Sequence, residues 1–224
     1  MNRQNCMLVA MATALLTACG GGGGDSSVPV TYNAQAAYKN LLSAPRTFTL
    51  SGKASNGGPL GLVWTITPIG AGAFPLTGAA AQRVDSSVVV TGLSSGPIGG
   101  TQQAYLNSEF VGLGAVRPDG SCTQSSAAQF PTAATVGQTG SLGTSAIYQT
   151  CTPAAPVVGT LDGTWSIQQA NGMTFVCSNS TQHDSAGAVV SSESDCIEAS
   201  PDGTLGAHAV ITVTIAGSSV VFAN

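Results

Sequence analysis

Thr47-Phe48-Thr49-Leu50-Ser51, then Asn56-Gly57-Gly58, then Leu62-Val63-Trp64-Thr65-Ile66-Thr67: the reading of this stretch decides the fold class. On both arms apolar and hydroxyl side chains alternate, and successive strand residues face opposite sides of a sheet. The Asn-Gly-Gly triplet between the arms is a turn signal, so the segment reads as an antiparallel hairpin with one wetted face.

Upstream of the hairpin the period changes. Asn33 precedes Ala34, Ala37, Tyr38, Leu41 and Leu42, which recur at helical spacing behind a good capping side chain. A short helix is predicted there. Downstream the two-residue period returns, with strand candidates at 82–91, 103–116, 145–152, 162–170, 173–180, 187–197, 207–215 and 219–223. Gly96-Pro97, Pro118-Asp119-Gly120, Asn171-Gly172, Pro201-Asp202-Gly203 and Ala216-Gly217-Ser218 punctuate them as turns. The expectation is an all-β chain, an antiparallel sandwich or partly open barrel with a short N-terminal helix. It would form a single β-rich domain over 33–224, with any boundary between sub-lobes near 155–160. Trp64, Trp165, Phe48, Phe110, Phe175 and Phe222 are the expected large core side chains.

Composition narrows the function classes. Of 224 residues only 7% are charged, while 29 are Gly and 43% are hydrophobic. The six Lys and Arg residues are scattered, so no basic stripe exists to neutralise phosphates and nucleic acid is not an expected partner. Low charge combined with high hydropathy argues against disorder, and scarce Glu, Lys and Leu argue against a coiled coil.

The first nineteen residues carry an address. Arg3 lies in a polar start, an apolar run of about ten residues follows over Met7–Leu16, and small residues lead to Cys19. A bilayer-spanning helix needs roughly twenty apolar residues, so the run is a secretory leader by length. Leu16-Thr17-Ala18-Cys19 resembles the lipobox of bacterial lipoproteins. The resemblance implies a signal peptide over 1–18, cleavage before Cys19, and diacylglycerol on the Cys19 thiol. Two or three acyl chains are enough for stable anchoring, whereas one is marginal. The membrane is therefore an expected partner through the lipid on Cys19. Gly20 stands where an Asp would favour inner-membrane retention, so the resemblance implies the outer membrane of a Gram-negative cell. Gly20–Gly24 and the Ser26-Ser27 pair then form a flexible tether over 19–32. The opening at 37–52, with Ala-Tyr-Lys-Asn-Leu-Leu and Thr-Phe-Thr-Leu-Ser-Gly, resembles the β-rich envelope lipoproteins of Gram-negative bacteria, and that likeness implies no activity.

Four cysteines remain after the leader and anchor: Cys122, Cys151, Cys177 and Cys196. An even number in an exported chain implies disulfides, in one of three connectivities; Cys122–Cys151 with Cys177–Cys196 is favoured because each joins neighbouring strands. No two of the four are closer than nineteen positions, which is poor spacing for structural zinc, so no metal is expected.

Catalytic signals are thin. Gly92-Leu93-Ser94-Ser95-Gly96 matches the G-x-S-x-G of hydrolase elbows, but Pro97-Ile98-Gly99-Gly100 follows where the elbow needs a helix, so Ser94 reads as a turn residue. His183 and His208 are the only histidines, one in a polar connector and one on the polar face of a late strand. Glu193, Asp195, Glu198 and Asp202 fall within ten residues, and a solvated acidic sheet edge is expected there in preference to a calcium site. The reading that results is a lipid-anchored envelope protein acting by binding or structure, with no cofactor and no catalysis. An envelope partner could add a strand to its open sheet edge. The alternative is an envelope serine hydrolase using Ser94.

Overall fold

The computed structural model describes residues 28–224. The leader, Cys19 and the glycine run all lie outside these residues. A nine-residue helix, α1 (Ala34–Leu42), comes first, and the Asn33 side chain caps it by accepting from the Ala36 N–H at 2.9 Å. Twelve strands follow. The first four are β1 (Arg46–Lys53), β2 (Pro59–Ala73), β3 (Ala80–Thr91) and β4 (Ile98–Leu106). The next four are β5 (Gly112–Val116), β6 (Cys122–Gln124), β7 (Thr139–Tyr148) and β8 (Val157–Ala170). The chain closes with β9 (Met173–Asp184), β10 (Val189–Ala199), β11 (Leu205–Ile215) and β12 (Ser218–Ala223).

Each strand pairs antiparallel with its sequence neighbours, and β1 pairs with β12 to close a barrel. This corrects the expected sandwich or partly open barrel. Turns join most consecutive pairs, with a longer connection between β6 and β7, and the chain meanders round once before β12 meets β1. Two details of the sequence concealed the strand number. The candidate at 103–116 is two strands, because Asn107 Oδ1 accepts from the Glu109 and Val111 N–H groups and folds a turn between β4 and β5. The three-residue β6 carries too little alternation to be read. Across 155–160 the sheet is continuous, with Tyr148 paired to Val157 and Ile147 to Gly159.

Alternation sorts the wall into two faces. Phe48, Leu50, Leu62, Trp64, Ile66, Ile211 and Phe222 point inward and pack with Leu41 and Leu42 of the helix. Outward positions are mostly hydroxyl or charged: Thr47, Thr49 and Ser51 on β1, Ser192 and Ser194 on β10, Thr212 and Thr214 on β11. The α1 helix touches β2, β9 and β11, strands from different sides of the wall, and so sits across one end of the barrel. The Asn33 N–H donates to Pro201 O at 2.9 Å and the Gln35 N–H to Pro131 O at 3.0 Å. Asn40 Nδ2 adds a bond to Gly203 O at 3.0 Å. Beneath it Ala34, Ala37, Phe130, Ile167 and Val176 form a second cluster. A twelve-stranded barrel is too wide for wall side chains alone to fill, and the helix closes one end while leaving space further in.

Candidate binding site in the barrel lumen

That remaining space is a cavity of about 370 Å³. Its wall is divided. One side is apolar and aromatic, with Trp64, Ile66 and Leu106 facing Tyr38 and Phe110. The other is polar: Arg117 just past the end of β5, Gln182 from β9, and Glu193 and Asp195 from β10. Ligand pockets have this make-up, mostly apolar with a few placed polar groups, and this one lies at the lower end of the usual roughly 300–1,000 Å³.

Glu193 and Asp195 stand two residues apart on one strand and therefore share a face, about 7 Å apart along the chain. The sequence reading put them on a solvated acidic edge. The structure corrects this: β10 is paired on both sides, by β9 and β11, and the alternation that leaves Glu198 outside turns these two inward. Ser191 and Ile197, on the same alternation, line the same cavity. Asp195 is half-buried, and that desolvation, with the charge of Glu193, pushes its carboxyl well above the ordinary value of 3.8. Burial raises Glu193 as well, with Arg117 acting in the opposite direction. Burial also raises the Tyr38 phenol to about 12, with Asp195 adding to the shift. Asp195 Oδ1 is out of solvent and accepts no hydrogen bond. An unpartnered buried acceptor of this kind costs about 1–3 kcal/mol.

Arg117 reaches across the lumen. Its Nη2 donates to Gln182 Oε1 at 2.8 Å, tying β5 to β9 over a separation of 65 residues, with three strands between them in the wall. The turn after Arg117 is fixed by Asp119 Oδ1, which accepts from the Ser121 N–H at 2.9 Å and the Ser121 hydroxyl at 2.6 Å. The hydroxyl bond holds the Asp119 carboxyl below its ordinary value, with the Arg117 charge contributing less. On the opposite side of the lumen Trp64 Nε1 donates to Ser86 Oγ at 2.8 Å, and the indole stacks on Phe48 at 5.3 Å between centroids. Both tryptophans were expected in the core. Trp64 is buried and also presents a face to the cavity, while Trp165 packs half-buried near the helix.

The other sequence candidates lie elsewhere. Cys122 bonds to Cys151 and Cys177 to Cys196, the favoured connectivity. Cys177 and Cys196 are direct cross-strand partners on the outer wall. Ser94 lies in the turn between β3 and β4, flanked by Gly92 and Gly96 with positive φ, and a strand follows it. Its histidine candidates are engaged with other groups. His183 Nε2 is 3.1 Å from Asp162 Oδ2, and His208 Nδ1 is 2.7 Å from Glu198 Oε2, both pairs on the outer wall. Glu198 is held below its ordinary value chiefly by that contact. Among the described residues no three His, Cys, Asp or Glu side chains converge as metal ligands would.

The lumen was not foreseen from the sequence. Its signal was present in the register of one strand: Ser191, Glu193, Asp195 and Ile197 share a parity that runs from polar to apolar, as one face of a divided cavity must. No family model, no curated protein and no solved structure matches this chain.

Proposed function

We propose that the protein is a lipid-anchored binding module of the cell envelope, held at the outer membrane by acylated Cys19 and taking a small ligand into its barrel lumen. The observation that carries the binding half is the divided cavity of about 370 Å³ with an unsatisfied carboxylate oxygen in its wall. A site built only for stability would fill such a space with side chains, since each unfilled cavity costs packing energy. The anchor half rests on the lipobox resemblance. The outer wall supports it, because a barrel that itself sits in lipid needs an outward apolar band of about 25 Å. Here the outward positions are mostly hydroxyl or charged, with exposed Val63, Val89 and Val221 standing among them. No helix among the described residues is long and apolar enough to cross a membrane. Tethered by Cys19 and its glycine run, the barrel would stand in the aqueous phase with its lumen free to exchange ligand.

Native mass spectrometry of the protein extracted gently from its own envelope tests both halves. The expected spectrum shows a chain beginning at a di- or triacylated Cys19, carrying a non-covalent adduct that is absent from the lumen-filling variant Ser180→Phe. A bare residue 19 rejects the anchor. Identical adduct-free spectra for wild type and variant reject the binding.

A second reading, addition of a partner strand, draws on one feature. The β1–β12 seam is paired at only two positions, Ser51↔Ala223 and Gly52↔Phe222, so β12 leaves Arg46–Leu50 of β1 uncovered on that side. Cross-linking in intact cells from a photoreactive residue at Thr49 discriminates: a single protein adduct favours the seam, and none favours the lumen.

A further inference from the structure

The charges lining the cavity are unbalanced. Among the described residues Glu109, Glu193 and Asp195 face it against Arg117, with no Lys or His in the lining. Arg117 is also committed, since it donates to Gln182 and its charge acts on Glu193 and Asp119. An anionic ligand would have to displace those contacts while entering between carboxylates. Asp195 has no cationic neighbour among the described residues; the charged group that acts on it is Glu193 on its own strand. Its Oδ1 has no donor at all. Removing an isolated carboxylate from water costs several kcal/mol, and the only inexpensive remedies are a proton or a donor-bearing cation.

A bare metal ion fits poorly. Calcium takes six to eight oxygen ligands, and two carboxylates on one strand with no third side-chain ligand nearby fall short of that. The remainder of the wall favours an organic cation. Tyr38 and Phe110 are the half-buried aromatic residues of the lining, and an aromatic face attracts ammonium groups as well as covering hydrocarbon. Gln102, Ser86 and Ser180 can satisfy further N–H donors without adding charge. Glu193 remains exposed on the lumen side, so the acidic pair can be reached from the open end of the barrel.

From this arrangement we infer that the luminal ligand is an amine: a protonated primary or secondary ammonium held between Asp195 and Glu193, on an apolar body that packs against Tyr38 and Phe110. The inference rests on the lumen-binding reading and assigns its ligand class. Arg117 and Gln182 form a cross-strap in the lumen, and the Arg117 charge acts on Glu193.

Three probes of one shape separate the outcomes: phenylbutylamine, phenylbutanol and phenylbutyrate, titrated into the full chain at pH 7 with calorimetry as the readout. The amine is expected to bind at least tenfold tighter than the alcohol, and the acid weakest. In Asp195→Asn/Glu193→Gln the amine should lose at least tenfold while the alcohol stays within twofold, which also shows the lumen is intact. Equal binding of all three probes, or an amine preference that survives the double substitution, overturns the amine assignment and leaves lumen binding standing. Failure of all three to bind a folded wild-type protein overturns both.

Discussion

Gly52 of β1 is pressed against Phe222 of β12 so closely that a Cβ at Gly52 would lie 2.9 Å from the Phe222 ring and 2.6 Å from the Val221 carbonyl oxygen. These strands meet at the barrel seam, and this pair is one of its two register contacts. The missing side chain lets the Phe222 ring pack inward with Phe48 and Leu62 while the two backbones stay within pairing distance. Closure thus depends on a residue chosen for what it lacks.

Substituting Gly52→Val should therefore strain the seam. Overpacking of this kind costs about 1–3 kcal/mol, which for a chain of this size lowers the melting temperature by about 2–10 °C. Gly72→Ala is the control, since nothing lies within 4 Å of a Cβ there and the change should be nearly silent. A thermal melt of both variants checks this. Equal melting temperatures would show that the seam tolerates a side chain and does not govern closure.

How far the sequence foretold this structure can be judged residue by residue. The α1 helix and its Asn33 cap, the first hairpin and both cysteine pairs were legible because each is fixed by local chemistry: a capping oxygen, a two-residue period, neighbouring strands. The strand expected at 145–152 begins at Thr139 and stops at Tyr148. Its first half, Thr139-Gly140-Ser141, shows no alternation because Trp165 from β8 covers Gly140 and supplies the missing side-chain volume. Barrel closure was illegible for another reason. It is one short contact between the two ends of the sheet, with no repeating pattern to reveal it. The luminal acids were misread because a charged pair looks the same in sequence whether its parity points out to water or in to a cavity.

The disulfides offer a comparison of two geometries with nearly equal entropy. Their loops span 29 and 19 residues, so chain-entropy stabilisation is about 3–4 kcal/mol for each and differs by only a few tenths. Their local effects should differ. Cys177–Cys196 ties two long strands already paired over nine residue positions, whereas Cys122–Cys151 pins the three-residue β6 to the turn beyond β7. The unfolding free energies of Cys122→Ala/Cys151→Ala and Cys177→Ala/Cys196→Ala, from denaturant titrations, should fall by amounts within about 0.5 kcal/mol of each other. Hydrogen exchange should show early opening of 112–124 in the first variant alone. Uniform exchange in both would mean that β6 is held by its ladder without the sulfur.

The helix plug is expected to open separately from the wall. Asn33→Ala removes a cap worth about 1 kcal/mol, and Asn40→Ala removes the 3.0 Å bond to Gly203 O. Together they should speed amide exchange across 34–42 by about tenfold or more while the β8–β10 amides keep their protection. Loss of protection everywhere would show that the helix is integral to the barrel and does not behave as a separate plug.

The last prediction concerns pH, and its sign follows from Asp195. Burial, reinforced by Glu193, lifts the Asp195 carboxyl well above its ordinary 3.8, so the folded chain keeps a proton that the unfolded chain gives up. Where the native state binds more protons than the unfolded one, stability falls as pH rises. The stabilising contribution of the protonated form is complete below about pH 4 and is lost progressively as pH climbs towards the raised folded value. Glu193 adds to the trend, moderated by Arg117. Tyr38, raised to about 12, stays neutral throughout and contributes nothing to this window. Asp195→Asn cannot ionise and should abolish most of the slope. Melts from pH 4 to pH 9 should therefore show wild type and variant close together at the acid end, with the variant higher by several degrees at the alkaline end. A wild-type curve that rises with pH, or two parallel curves, would mean that the carboxyl finds a partner in solution and is ionised inside the barrel.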